Sequence, residues 1–575
     1  MADFFQNGVI ATLHDLGRRS TEDLERELKA WSSETPMSLV IPCLVTDLDA
    51  PSLERIVREL AAVPYLDEVV VGLDRADAAD FDRARSIFSR LPQRHRILWN
   101  DGPRLGAIRD ELEARDLSTG LPGKGRNVWF CLGYFLAAGR GRLVALHDAD
   151  IRDYDRSLPA RLLYPLAHPS TRFGFAKGYY HRASRGALDG DRLYGRVTRL
   201  FVTPLIRAMA VTFGARDYLD YLDSFRYPLA GECAMTLEVA ASLRVPSDWG
   251  FEIGVLAEVH RHLPTARICQ VDVADAYDHK HGELSADDPE SGLHRMSADI
   301  ARAIYRRLAI SGVVLSAEGF RSLEAAYDRT ALDLLDRYEA DAAFNGLDFD
   351  RHGEEAAIQV FAGAIVRAGA EFLEDPLEST FIPSWSRVRS EIPDMAERLV
   401  AAGVDAVVID TAHGHTENVI ATVRELKKTL SGVDVVAGNI ATGEAARDLA
   451  DAGADPVSLF TDFGVVTSSP ENAPPTARAI LAHLAESEPD LIVLEMGDGL
   501  LGTYGVQAIL DAPDLRAATT AIVLCAQDPV GAWGAQQLLA DRHEARASLV
   551  SGPVTDNPVG REFCEKQLGL PAYNA

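Results

Sequence analysis

The sequence predicts an α/β protein built on a mostly parallel sheet, and three observations predict it. Between Met37 and Asp150, apolar runs of strand length alternate with segments of helical period. Those runs are rich in Val, Ile and Leu, as strands buried on both faces are. The chain is 575 residues long, 47% hydrophobic and 25% charged, which suits roughly three or four globular packing units and excludes a collagenous, disordered or disulfide-scaffold protein.

Residues 38–45 form the first strand of this reading. The helix after it carries Leu53, Ile56, Val57, Leu60 and Ala61 on one face, behind Pro51, a residue suited to a first helical turn. Residues 68–74, 96–100 and 143–147 are three further strands. Strand then helix, repeated, covers both faces of a sheet with helices, and ligands of such sheets bind beyond the carboxyl ends of the strands. From about 292 to 374 the pattern changes to long helices over 297–311, 321–344 and 354–373, expected to pack against the sheet or a second subunit and to carry no chemistry. Residues 375–386, with Pro376, Pro383 and Trp385, read as a bounded connection, so a chain ending near 386–395 is expected to keep the activity of the first part. Beyond it, 406–410 and 433–437 are strands of two small strand-and-helix units, and after a proline-marked break at 470–475, residues 490–496 and 521–525 are two more. The expected division is a sheet domain over 1–290, a helical extension over 291–395 that allows a homodimer, a small βα fragment over 396–457 and an α/β region of unknown purpose over 458–575.

Acidic residues outnumber basic ones 86 to 58, for a net charge of −28. Such a surface repels nucleic acid and anionic lipid. Cys43, Cys131, Cys233, Cys269, Cys525 and Cys564 are scattered, without a Cys-x-x-Cys pair, and read as reduced thiols. No basic segment followed by an apolar run opens the chain, and the apolar stretch at 128–138 is shorter than the ~20 residues a membrane span needs. A cytoplasmic protein with neither nucleic-acid nor membrane partners is expected.

The sharpest candidate site is the strand at 143–147 running into Asp148, Ala149 and Asp150. Two carboxylates at i and i+2 after a strand can face one way and offer hard oxygen ligands to magnesium or manganese, which would neutralise a diphosphate leaving group. An isolated Asp-x-Asp also fits a solvated loop with a helix cap. Lys124, Gly125 and Arg126 open a helical run with positive charge and free backbone N–H groups, a combination suited to an anion and equally found in an ordinary basic turn. Asp74 ends a strand, where it could accept hydrogen bonds from a ribose or base or cap a helix. The cluster Asp278, His279, Lys280, His281 could supply an imidazole to the metal or be a surface loop. Glu232 and Glu252 are acidic residues in apolar surroundings that could also be paired structural carboxylates.

Several motifs in order resemble glucosyl-3-phosphoglycerate synthases over roughly residues 3–395: Phe4-Phe5-Gln6-Asn7-Gly8-Val9-Ile10, Gly123-Lys124-Gly125-Arg126-Asn127-Val128-Trp129, Asp148-Ala149-Asp150 and Phe175-Ala176-Lys177-Gly178-Tyr179-Tyr180. Gly195-Arg196-Val197-Thr198, Pro228-Leu229-Ala230-Gly231-Glu232, Trp249-Gly250-Phe251-Glu252-Ile253-Gly254 and Tyr277-Asp278-His279-Lys280-His281 continue the match. The resemblance implies a GT-A glycosyltransferase fold and metal-dependent, configuration-retaining transfer of glucose from a nucleotide sugar, typically UDP-glucose, to the 2-hydroxyl of 3-phosphoglycerate, a step toward the compatible solute glucosylglycerate. On that mapping Pro42, Cys43, Leu44, Asp74 and Lys124 hold the nucleotide. Asp150 and His279, with Asp148, hold Mg2+ or Mn2+. Gly195, Arg196 and Thr198 grip the acceptor, whose phosphate and carboxylate suit a guanidinium, a hydroxyl and backbone donors. The Leu229 carbonyl lies near the anomeric centre and Glu252 positions sugar hydroxyls. Relatives in other branches carry Asn-Glu where this chain has Val45-Thr46, a departure that bears on the nucleotide base.

Other readings compete. A mannosyl or other transferase of the same fold would share these motifs. Asp-x-Asp after a strand is also found in haloacid-dehalogenase-type phosphatases, but Ile151-Arg152 does not continue that pattern, and a protein that binds sugar nucleotide without turnover is the reading of another class. Residues 398–455, with Val407-Val408-Ile409-Asp410 and Val436-Ala437-Gly438-Asn439, look like two strand-and-loop units of an IMP dehydrogenase barrel. Two units cannot close an eight-stranded barrel, and the phosphate loop and nucleophilic cysteine that should follow are replaced by Pro456-Val457-Ser458-Leu459, so no dehydrogenase activity is expected. Gly497-Asp498-Gly499-Leu500-Leu501-Gly502 formally fits a dinucleotide glycine pattern, and a tight turn explains it better.

Overall fold

The structure, a computed structural model, describes residues 6, 8–181, 192–214, 216–274, 292–376, 381–393, 395, 398–399, 406–410, 434–438, 469–485, 496, 499–519, 521–543, 545–555 and 558–572. The chain divides into two compact units, residues 1–403 and 404–575.

The first unit is built on strands β1 (Ala11–Leu13), β2 (Met37–Leu44), β3 (Leu66–Asp74), β4 (Arg94–Trp99), β5 (Leu143–Leu146), β6 (Phe175–Tyr180), β7 (Cys233–Thr236), β8 (Val245–Pro246) and β9 (Ile268–Ala274). Eight of them form one sheet in the order β1-β9-β6-β7-β5-β2-β3-β4. Neighbours run parallel except β7, which is antiparallel to both β5 and β6. This mixed sheet with helices on both faces is of the α/β class that the sequence predicts. The four strands read from the apolar runs are present to within two residues at each end. The side-chain period of two is visible along β2, where Val40 faces one core layer while Leu39, Ile41 and Cys43 face the other. The first layer is filled by helices Lys124–Ala138, Thr203–Phe213 and Phe251–His262, the second by Pro51–Ala61, Ala78–Phe88 and Ser157–Ala167. Leu53, Ile56, Val57 and Leu60 are buried from Pro51–Ala61, as their spacing predicts.

The long helices are Gly292–Ile310, Ala317–Asn345 and Arg351–Glu374. They pack on the segment that follows Arg196: Tyr327 Oη donates to the Leu200 carbonyl at 2.6 Å, and the Phe201 and Phe361 rings lie 5.2 Å apart. Arg351–Glu374 has the length and apolarity of a membrane span, which the reading of 128–138 as the longest apolar stretch did not register. Its inner face, with Ile358, Phe361, Ile365 and Ala368, is buried in the protein core.

Residues 375–386 are more than a connection. β10 (Phe381–Ile382) pairs antiparallel with β8, and Trp385 opens helix Trp385–Glu391. The Trp385 and Trp129 rings stack at 4.2 Å, Trp385 Nε1 donates to the Trp129 carbonyl at 2.7 Å and Trp129 Nε1 donates to the Pro383 carbonyl at 2.7 Å. Val388, Ile392, Met395 and Leu399 are buried in the same core layer. A chain cut at 386–395 would therefore lose core side chains, and the boundary belongs after residue 403.

In the second unit β11 (Ala406–Asp410) runs parallel to β12 (Asp434–Gly438), and β13 (Val523–Cys525) runs parallel to β14 (Leu549–Ser551). Among the described residues each pair stands without a third strand. Leu524, Leu539, Val550 and Cys564 make a small core beside β13 and β14. The strand read at 490–496 lies outside the described residues except for Met496, as do Gly497 and Asp498 of the glycine pattern.

Candidate active site

The carboxyl ends of β2, β3 and β5 lie side by side in the sheet. Because β7 runs the opposite way, the residues just before it, Leu229 to Glu232, come to the same edge. Four segments that the sequence separates widely thus meet where an α/β sheet binds its ligands.

Lys124 is the first residue of helix Lys124–Ala138, entered through Gly123 at φ 148. Its ammonium sits 2.7 Å from Asp148 Oδ1 and 3.1 Å from Glu252 Oε1. Burial alone would depress this lysine, but Asp148 and then Glu252 hold its pKa above the ordinary value. The two carboxylates therefore keep a fixed cation at the helix N-terminus, with about a third of the side chain (32%) open to solvent. A Cβ added at Gly231 would collide with the Asp148 carboxylate and approach Lys124 Nζ to 3.0 Å, so the chain just after Leu229 passes directly against this pair.

Asp150, like Asp148, is half-buried. Burial first, and then the Asp148 carboxylate, push its pKa well above the ordinary range against the opposing pull of Lys124, with Asp47 and Glu232 adding further negative charge. Glu232 is fully buried and accepts from Tyr180 Oη at 2.9 Å. His147, between the strand and the acidic pair, is buried and held neutral, with its pKa pushed down to about 3, and its Nδ1 is 3.0 Å from Tyr154 Oη.

On the nucleotide side, Asp74 is buried, and Oδ1 accepts from Asn100 Nδ2 at 3.3 Å. Its Oδ2 is buried without a partner among the described residues, and burial raises the carboxyl. Pro42 and Cys43 belong to β2 beside it, the Cys43 thiol buried and raised by that burial, while Leu44 at the strand end is exposed and its N–H donates to Asp47 Oδ2 at 2.8 Å. Leu229 lies in a turn closed by the Ala230 N–H on the Tyr227 carbonyl at 3.2 Å. Lys177, buried in the middle of β6, donates to the Ala230 carbonyl and so fastens that turn from beneath.

Gly195, at φ 72, starts a turn that continues as the π-helical segment Val197–Val202. Arg196 Nε donates to Glu354 Oε1 at 3.1 Å, and Thr198 is buried with its Oγ1 unpartnered among the described residues. His279 and its neighbours Asp278, Lys280 and His281 lie outside the described residues. Among those described, no group of three His, Cys, Asp or Glu side chains is arranged to hold a metal.

Sequence reasoning did not single out Asp47, Lys177 and Glu354, which the structure places against candidate site residues or the turn that holds one. Asp47 follows the carboxyl end of β2, where the crevice rule directs a search. Lys177 stands inside a motif already quoted. Glu354 gave no sequence signal, being 158 residues from Arg196 in a segment read as devoid of chemistry.

Over 402 residues the chain is 43% identical to glucosyl-3-phosphoglycerate synthase of Persephonella marina, a match covering 70% of this chain and 98% of that protein. A crystal structure of the Mycobacterium tuberculosis synthase in complex with Mn2+, UDP and phosphoglyceric acid is 23% identical, covering 53% of this chain and 88% of that one, with a TM-score of 0.38. Residues 373–467 match the family model of the IMP dehydrogenase / GMP reductase domain, a longer stretch than the 398–455 read from the motifs. The inosine-5'-monophosphate dehydrogenase of Rhodopirellula baltica is 57% identical over 77 residues, 13% of this chain and 14% of that protein. This chain therefore spans about one seventh of such a dehydrogenase.

Proposed function

The chain belongs to the glucosyl-3-phosphoglycerate synthase family, and from that premise we propose that its first unit transfers glucose, with retention of configuration, from UDP-glucose to the 2-hydroxyl of 3-phosphoglycerate. The observation that carries this reading is the Lys124 ammonium held between Asp148 and Glu252 at the sheet edge, against the backbone of Gly231. It makes a place where a diphosphate, a sugar and the Leu229 carbonyl would converge.

In this reading Pro42, Cys43, Leu44 and Asp74 receive the nucleoside, and the unpartnered Asp74 Oδ2 supports an acceptor role toward its N–H or O–H groups. Lys124 binds the diphosphate. Asp148, Asp150 and His279 would hold Mg2+ or Mn2+, and the donor set fits: two carboxylates supply hard oxygens, and the crowding of Asp150 by Asp148, Asp47 and Glu232 favours a further cation. When bound, such an ion neutralises charge on the departing diphosphate. Glu252 orients sugar hydroxyls, the Leu229 carbonyl faces the anomeric carbon as the leaving group departs from the side the acceptor attacks, and Lys177 keeps that turn in place. Gly195, Arg196 and Thr198 hold the carboxylate and phosphate of the acceptor. The cytoplasm suits this chemistry and six cysteines that form no disulfide.

Steady-state assays with UDP-glucose, GDP-glucose, ADP-glucose and GDP-mannose against 3-phosphoglycerate, glycerate and glycerol phosphate test the reading. UDP release with UDP-glucose and 3-phosphoglycerate is the expected result. Preference for GDP-mannose would overturn the donor assignment, and donor binding without turnover on any acceptor would replace the enzyme with a binding protein.

A further inference from the structure

The helical extension, expected to carry no chemistry, reaches the acceptor side of the site through one side chain. Glu354, in helix Arg351–Glu374, is buried and divides its carboxylate between two guanidinium groups: Oε1 accepts from Arg196 Nε at 3.1 Å, and Oε2 lies 3.0 Å from Arg199 Nη1. Arg199 is committed to the fold. Its Nε donates to the Tyr194 carbonyl at 2.9 Å, its Nη2 to the Leu193 carbonyl at 3.3 Å, and its guanidinium lies 5.0 Å from the centre of the Tyr338 ring.

Arg196 is different. Among the described residues Glu354 is its hydrogen-bond partner, and 34% of its side chain is exposed. A guanidinium gripped at Nε keeps its two terminal nitrogens for a bidentate anion, and two arginines against one glutamate leave net positive charge. Thr198, two residues on, has a buried hydroxyl unpartnered among the described residues. The segment between is π-helical, a distortion often found at functional sites.

We propose that Glu354 is a positioning residue of the acceptor site: from the helical extension it fixes the Arg196 guanidinium so that the free edge meets an oxyanion of a small, doubly anionic acceptor. The inference rests on the acceptor role given to Arg196 above.

Steady-state kinetics on the full chain test it. Glu354→Gln keeps the shape and removes the charge, and should raise KM for 3-phosphoglycerate by about tenfold while leaving kcat and KM for UDP-glucose within about twofold. Glu354→Asp, too short to reach both arginines, should raise the same constant less and carries the test if the Gln variant does not fold. A lower Tm with unchanged acceptor KM, or equal losses toward both substrates, would overturn the proposal. So would a fall in acceptor KM, which would make Glu354 a competitor of the acceptor. Arg196→Ala separates the two ideas. If it raises acceptor KM while neither Glu354 variant does, the positioning role alone falls; if it leaves acceptor KM unchanged, the acceptor role of Arg196 falls and takes the inference with it. With both correct, adding Glu354→Gln to Arg196→Ala brings no further rise.

Discussion

Residues 1–403 and 404–575 use the same local grammar, strand followed by helix, to opposite effect. In the first unit eight strands share one sheet, both faces are covered, and four strand ends or beginnings converge on Lys124, Asp148 and Glu252. In the second, the described strands stand in parallel pairs, and the larger core is the small cluster around Leu524 and Val550. A crevice at the end of a parallel sheet needs several neighbouring strands to wall it. Two strands of a barrel that needs eight provide no such wall, and the 77 residues that resemble a dehydrogenase make up 14% of that protein.

The largest expected effect sharpens this contrast within the first unit. Asp150→Ala should lower turnover by about a thousandfold and abolish its stimulation by magnesium, read from initial rates across a metal titration. Magnesium dependence that survived unchanged would remove Asp150 from the ligand set.

Trp385→Ala probes the boundary. Loss of the stack on Trp129 and of two indole hydrogen bonds should destabilise the first unit by about 3–5 kcal/mol, measured as a shift in denaturant midpoint. A shift below about 1 kcal/mol, within the usual range for surface changes, would show that residues 381–403 are dispensable.

A smaller effect is expected at Glu258, a buried carboxylate that accepts from Arg244 at 2.9 and 2.7 Å and from Arg261 at 3.0 Å. Burial would raise its pKa, but the bonds from both arginines outweigh burial and hold it below the ordinary value. A depressed folded value means stability that is present above the unfolded pKa and lost as pH falls through the folded one. Glu258→Gln should therefore cost about 1–2 kcal/mol at neutral pH, with the gap to the unaltered protein closing below about pH 4. An equal gap at all pH values would mean that packing, not charge, is what the substitution removes.

The smallest effect tests the comparison itself. Removing residues 404–575 should leave kcat and both KM values within about twofold. A large loss of activity in a soluble, folded remainder would give the second unit a part in the reaction.

Much of the site was legible in the sequence because its parts are local. The acidic pair Asp148 and Asp150 follows an apolar run, Lys124 opens a helix after a glycine, and Asp74 ends a strand, each readable from a few neighbouring residues. The fold adds that Asp74 is buried with one oxygen unpartnered among the described residues and that Lys124 is clasped by two carboxylates. β6 and β7 were not read as strands, since β7 is only four residues long and both carry lysine, cysteine or threonine among their apolar positions. The connection at 375–386 was misjudged because prolines mark turns equally well in linkers and in short edge strands.

The amino-acid sequence by itself determined the α/β class, the edges of β2 to β5 and the identity of the groups at their ends, because side-chain period and glycine placement act over a few residues. Only the tertiary structure decided which distant groups meet: Lys124 with Glu252 across 128 residues, Arg196 with Glu354 across 158 and Trp129 with Trp385 across 256. A fourth meeting follows from the strand order, whose reversed β7 turns Leu229–Glu232 toward the acidic pair. No local pattern of residues encodes such an order, since it is set by how whole layers bury their apolar faces against one another.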